Sequence, residues 1–393
     1  MLNKVLLIII QLFALSAYSS QVPHLTVNTS SHGTKSSSKA DELNQDFNKA
    51  LNQINLVAGD DIHFWGNNLK IDLYARYAQS SHFSENMNEM NVNNLFFPQQ
   101  IIARDVLKAQ HLKIGDDIYE QALLYQAAYS WGDEDVTFTI GRFSIIFGDG
   151  YFLNPINPLN HSQSIAPQKI NQVNDGAKIT FHTKNKLKLH LYFLGDKRYS
   201  DYNEEITRTV MLRGEWKQSK DTEINYILGE DQKRHKYGVE IRHELKTAYI
   251  DAQAVRYSQK LNDSTDSAGL FHYLLSLNKN FEKRHKLSLE FGKFQRDKDE
   301  KSQIKYNYLP FESFAAAAWS FQVTSKLTTR LDYILNSESD ASLYNISATY
   351  SMGKQYSVQL FALGLAQDSN DDADFLEEDL FPSIAGLNLQ GKF

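Results

Sequence analysis

The chain has 393 residues, no cysteine, 42% hydrophobic residues and a formal net charge of −6. The lack of cysteine rules out a disulfide framework and a lipoprotein anchor, and the mild acidity argues against nucleic acid as a partner. Beyond the N-terminus no run approaches 18 apolar residues, which excludes helical membrane spans. The mean hydropathy of −0.46 is compatible with strands that alternate lipid-facing apolar and lumen-facing polar residues. Aromatic usage of 12%, from 21 Tyr and 23 Phe, matches the demand of girdles at two membrane interfaces.

The first element in chain order is an export signal. Lys4 gives a positive start, Val5 to Leu15 is apolar apart from Gln11, and Ala17-Tyr18-Ser19 supplies small residues for cleavage. Residues 20–40 are rich in Ser and Thr and read as a flexible leader. Leu43, Phe47, Leu51 and Ile54 recur at helical spacing, so the pattern predicts a short amphipathic helix over 40–56, serving as a plug, a docking element or a rim contact. The expected organisation is signal peptide 1–19, leader and helix 20–60, and β domain 61–393.

From Leu69 onward, alternating segments are separated by turn residues. Seventeen candidate strands emerge, the clearest carrying Leu187/Leu189/Leu191/Phe193, Tyr237/Val239/Ile241 and Tyr344/Ile346/Ala348/Tyr350. Short links around Asn185, Ser219, Lys246, Lys283, Ser325 and Gly353 alternate with longer ones such as 296–313 and 367–382. A soluble sandwich has no reason to keep that parity. The last segment places Ala385, Leu387, Leu389 and Phe393 on one face, with Asn388, Gln390 and Lys392 on the other.

A terminal aromatic on such a strand resembles the closing strand of Gram-negative outer-membrane β-barrels, in which the terminal residue, here Phe393, is part of the assembly signal. The resemblance implies an all-β fold: a transmembrane antiparallel up-and-down barrel in the cell outer membrane. Bacterial single-chain barrels have even strand numbers, so seventeen needs one correction in the region 57–114. Either Asp61 to Trp65 joins an extra strand or two segments near 101–131 merge. The expectation is sixteen to eighteen strands, with eighteen favoured.

The least repetitive stretch runs from Gly141-Arg142-Phe143 through Gly148-Asp149-Gly150 to Asn154-Pro155-Ile156-Asn157-Pro158. Over about thirty residues it is similar to the passage from strand to constriction loop in porin-like families. Glycines permit backbone conformations closed to other residues, and each Asn-Pro step favours extended or turn geometry. The resemblance implies that residues 145–175 fold into the lumen, with Arg142 and Asp149 lining or bracing the constriction. The alternative is an external loop held down by an Arg-Asp pair.

Lumen-facing positions follow from strand phase. Lys178, His182, Lys188 and His190 oppose the apolar residues of their hairpin and form a basic patch. Elsewhere the phase is mixed: Arg213 with Glu215, Arg242 between Glu240 and Glu244, Arg330 beside Asp332. A strongly ion-selective channel presents a ring of one sign; this pattern predicts weak selectivity. The acidic run from Asp368 to Asp379 reads as a solvated loop, with cation bridging of lipopolysaccharide as the alternative. No H-E-x-x-H, G-x-S-x-G or P-loop motif occurs, and His161, Ser162 and Ser164 do not form a lipase pattern, so neither an enzyme nor a cofactor nor a metal is expected. The favoured function is a porin-like channel for passive diffusion of small hydrophilic solutes. The runner-up is a plugged barrel with a structural or export-partner role. Implied partners are outer-membrane lipid, lipopolysaccharide, the outer-membrane assembly machinery and, as in many porins, two further copies in a homotrimer.

Overall fold

The computed structural model describes residues 24–35, 49–64, 67–80, 110–114, 118–145, 173–183, 186–199, 204–231, 234–260, 267–281, 284–294, 313–338, 341–366 and 383–392. Nineteen strands account for nearly all of them. These are β1 (His24–Lys35), β2 (Lys49–Phe64), β3 (Asn67–Ser80), β4 (Gln110–Ile114), β5 (Ile118–Gly132), β6 (Val136–Ser144) and β7 (Val173–His182). They continue as β8 (Leu187–Tyr199), β9 (Glu204–Lys217), β10 (Thr222–Asp231), β11 (Arg234–Glu244), β12 (Ala248–Lys260) and β13 (Ser267–Phe281). The last six are β14 (His285–Phe294), β15 (Ser313–Gln322), β16 (Leu327–Asn336), β17 (Ser342–Met352), β18 (Tyr356–Ala366) and β19 (Ser383–Lys392).

All but β4 form one antiparallel ring of eighteen strands, closed where β1 pairs with both β2 and β19. Closure lets the wall strands satisfy one another's backbone groups without water. β4 bonds only to β5, through Gln110↔Leu123 to Ile114↔Tyr119, while β6 pairs with β5 through Ala127↔Arg142 to Gly132↔Thr137. The short piece therefore takes over part of the β5 edge that β6 leaves.

Even parity is reached partly as expected, since Asp61–Phe64 belongs to an extra strand, β2. Sixteen of the seventeen expected segments are wall strands, and the segment near 101–114 contributes only β4; the missing pair is β1 and β2. The leader and the helix expected over 20–60 need correction: where described, this region is strand, with no helix among the described residues. Continuous pairing of β2 with β1 and β3 satisfies the backbone over its whole length, whereas an isolated helix that short is marginal. The Ser/Thr-rich β1 carries little apolar alternation because ring closure, rather than burial of a hydrophobic face, fixes it.

Burial along the strands is inverted relative to a soluble protein. In β13, exposed Phe271, Tyr273, Leu275 and Leu277 alternate with buried His272, Leu274, Ser276 and Asn278. The outer face continues through Val239, Ile241, Phe291, Ile346 and Leu360, the last 58% exposed. An apolar exterior around a polar interior is what hydrocarbon requires.

The lumen wall also holds an apolar belt. Tyr192, Leu194, Met211, Ile227 and Val255 form one buried cluster with Ala128, Phe143 and Ile145. Further round, Phe314, Ile334 and Leu343 are equally buried. Two glycines allow this packing. A Cβ on Gly238 would stand 2.9 Å from the Ile227 side chain and 3.1 Å from Val255, and one on Gly292 would stand 2.6 Å from the Phe314 ring. The belt lies toward the long-loop end of the barrel. Nearer the short-turn end the same phase becomes polar: Asn225, Glu240, Asp251, Gln253, Ser276 and Glu290.

Candidate functional site: the lumen wall and the neck of the long loop

Residues 146–172 lie outside the described residues, as do Asp149, the acidic run 368–379, and Phe393. The neck of this connection is described. β6 and β7 end side by side at Ser144↔Val173, and two pairs below them Arg142 stands opposite Asp175. The Arg142 Nε donates to Asp175 Oδ1 at 2.7 Å and its Nη2 to Oδ2 at 2.8 Å. Its Nη1 donates to the Leu124 carbonyl at 3.0 Å. Leu124 sits between the last β4–β5 pair and the last β5–β6 pair, where the ladder changes partner. A bidentate fork with a spare donor suits that gap, since a guanidinium carries five N–H groups in fixed geometry. Arg142 is fully buried, so it braces the wall at the base of the connection rather than facing solute. Ile145, one residue past β6, packs into the lumen belt.

Strand phase brings the basic patch together on one lumen face. Register pairs Lys178 with Tyr192, Thr180 with His190 and His182 with Lys188; His190 then meets Arg213, and Lys188 meets Glu215. Thr180 Oγ1 contacts His190 Nδ1 at 2.9 Å. Glu215 Oε1 receives Arg213 Nη2 at 3.0 Å and lies 3.3 Å from His190 Nε2. The Lys178 ammonium stands 6.0 Å from the centroid of the Phe143 ring. This face keeps contact with water: Lys188 is exposed, and the Glu215 side chain retains 22% of its surface.

Two strands away the wall is sealed. Glu240 accepts from Asn225 Nδ2 at 2.8 Å and Gln253 Nε2 at 3.0 Å. The same Gln253 nitrogen donates to Asp251 Oδ2 at 2.8 Å. Glu240 and Asp251 are buried to 2% or less. Burying a carboxylate demands such donors. Arg242, expected to line the pore, lies beside this network with its guanidinium 4.4 Å from the Tyr249 ring centroid. On β16, Arg330 forks onto Asp332 at 2.8 and 2.6 Å, and Asn345 Nδ2 donates to the same carboxylate at 2.8 Å.

The pairings made by Asp175, Gln253 and Asn345 were not legible in the sequence, because each needs the strand register. Among the described residues no group of His, Asp or Glu is arranged to hold a metal ion.

No protein-family model matches the chain, and no curated protein is similar to it by sequence. Solved structures do share its fold. A BenF-like porin from Pseudomonas fluorescens aligns with TM-score 0.61 at 8% identity, covering 94% of this chain and 98% of its own. Pseudomonas aeruginosa OccK8 (OprE) gives 0.60 at 10%, with 94% and 97% coverage, and Acinetobacter baumannii OccAB1 gives 0.59 at 10%, with 94% and 96%. These likenesses show the fold alone: the chain shares a closed antiparallel barrel with those structures, here of eighteen strands.

Proposed function

We propose that the chain is an outer-membrane channel through which small hydrophilic solutes diffuse passively. The observation that carries this is the hydrated face built by Lys178, Lys188, His190, Arg213 and Glu215 inside a closed, apolar-walled barrel. Such a face replaces part of a solute's hydration during passage. Cations there are interleaved with Glu215, which supports weak ion selectivity. The connection 145–175 is the proposed constriction; the inward packing of Ile145 and the buried apolar belt favour it. Outer-membrane lipid, lipopolysaccharide and the assembly machinery are the proposed surroundings, with a trimer as the proposed assembly.

The belt also supports a second reading, a plugged barrel with a structural or export-partner role, because it leaves part of the lumen wall dry. Planar-bilayer recording separates the two. Stepwise single-channel openings that scale with salt are expected, and silence from folded, inserted protein would refute the channel.

A further inference from the structure

Exposed carboxylates cluster at one turn of the short-turn rim, while exposed cations recur at the turns that follow, including Lys186 at the β7–β8 turn and Lys217 and Lys220, beside Asp221, at the β9–β10 turn. At the β5–β6 turn Asp133, Glu134 and Asp135 are all exposed. On the far side, four consecutive turns each present an exposed cation: Lys246 between β11 and β12, Arg284 between β13 and β14, Lys326 between β15 and β16, and Lys354 between β17 and β18. The only carboxylate described in those turns is Glu244, in the lumen phase two residues from Arg242; Glu282 and Lys283 lie outside the described residues and cancel in sequence.

The four turns form one continuous arc. Backbone bonds tie each to the next strand end: Asn280 N to Thr247 O at 3.0 Å, Gln322 N to Arg284 O at 2.8 Å, Ser351 N to Lys326 O at 2.7 Å, and Lys392 N to Gln355 O at 2.8 Å. Neighbouring cations are therefore about 10 Å apart, two strand spacings, close to the screening length of about 8 Å at physiological salt. Their fields overlap.

The arc borders the lipid. Just above it on the outer face, His285, Trp319 and Phe321 form a flat stack, with His285 and Phe321 centroids 4.4 Å apart and His285 and Trp319 at 5.9 Å. Lys279 stands 4.6 Å over the exposed Phe281 ring. Aromatic rings mark headgroup depth, so the cations sit where lipid phosphates lie. The acidic sector has a matching stack, Trp131 between Tyr129 at 5.3 Å and Phe138 at 5.6 Å, but with carboxylates below it.

We propose that the arc from Lys246 to Lys354 is a docking strip for anionic phospholipid of the inner leaflet of the outer membrane, giving the barrel a one-sided lipid annulus. Charge complementarity and continuity with the aromatic girdle select a lipid over a soluble partner. One cation at an anionic surface is worth about a fivefold change in partition.

The two stacks provide the reporters. Full-length protein retaining only Trp319, or only Trp131, with the other tryptophans replaced by Phe, is reconstituted in phosphatidylcholine containing brominated phosphatidylglycerol. Quenching of Trp319 is expected to exceed that of Trp131 by about two- to fivefold. The excess should vanish in Lys246→Gln/Arg284→Gln/Lys326→Gln/Lys354→Gln and in high salt, and persist in the control Lys217→Gln/Lys220→Gln. Equal quenching of the two tryptophans in the otherwise native protein, or an excess that survives the fourfold variant, overturns the proposal; equal quenching would return the arc to a soluble acidic partner. The conductance test of the channel reading is independent of this outcome.

Discussion

The lumen faces of β7–β9 and of β10–β12 are made from the same kinds of residue, yet they behave oppositely. On the first, Lys188 is exposed and Glu215 keeps 22% of its side-chain surface. On the second, Glu240 keeps 2% and Asp251 none. Charge in the lumen phase therefore does not by itself imply contact with water; the packing around it decides. The sealed face is held by amide donors from Asn225 and Gln253, and the apolar belt lies beyond it.

Substitutions that break the sealed parts should cost most. Arg142→Ala removes both bonds to Asp175 and the one to the Leu124 carbonyl, and a loss of about 3–5 kcal/mol is expected from breaking a buried pair. Urea unfolding in lipid vesicles measures it, and Arg142→Leu combined with Asp175→Leu should recover part of the loss. Recovery of none would mean the site needs charge rather than packing.

Next, Ile227→Ala should cost about 2–5 kcal/mol as a cavity in a packed interior, more than Leu360→Ala on the lipid face. Equal costs would show the belt to be loose. Gln253→Ala removes the donor shared by Glu240 and Asp251, and about 1–3 kcal/mol is expected for the lost bonds to these buried carboxylates.

The open face should respond in selectivity instead of stability. Arg213→Gln and Lys188→Gln are expected to shift the reversal potential of a salt gradient toward cations, while Glu240→Gln leaves it unchanged. A shift with Glu240→Gln would erase the distinction between the two faces.

The smallest effect belongs to the β5–β6 turn. Asp133 Oδ1 accepts from the Val136 and Asp135 amides at 2.8 and 3.0 Å, and these bonds hold its carboxyl below the usual value. A depressed carboxyl contributes stability above its unfolded value near 3.8 and loses it as pH falls through the folded one. Asp133→Asn should flatten unfolding against pH over that acidic window.

Much of the wall was legible in the chain. Period-two alternation is local, so Leu187 to Phe193 or Tyr344 to Tyr350 declares a strand, its two faces and its place between a short turn and a long loop. The same phase placed Lys178, His190, Arg213 and Glu215 together on the lumen side. β1 was not legible, since its Thr, Ser and Asn carry little alternation; in β2 the helical spacing of Leu51 and Ile54 masked the alternation of Ile54, Leu56, Ile62 and Phe64.

Arg142 illustrates the remaining gap. Its motif marks the edge of a long connection, but Asp175, 33 residues away, becomes its partner only through the β6–β7 register. Likewise, nothing in the residues of β10–β12 separates a sealed carboxylate from a hydrated one. Side-chain phase is set by neighbours along the chain, whereas exposure inside a barrel is set by the neighbours that register brings from other strands.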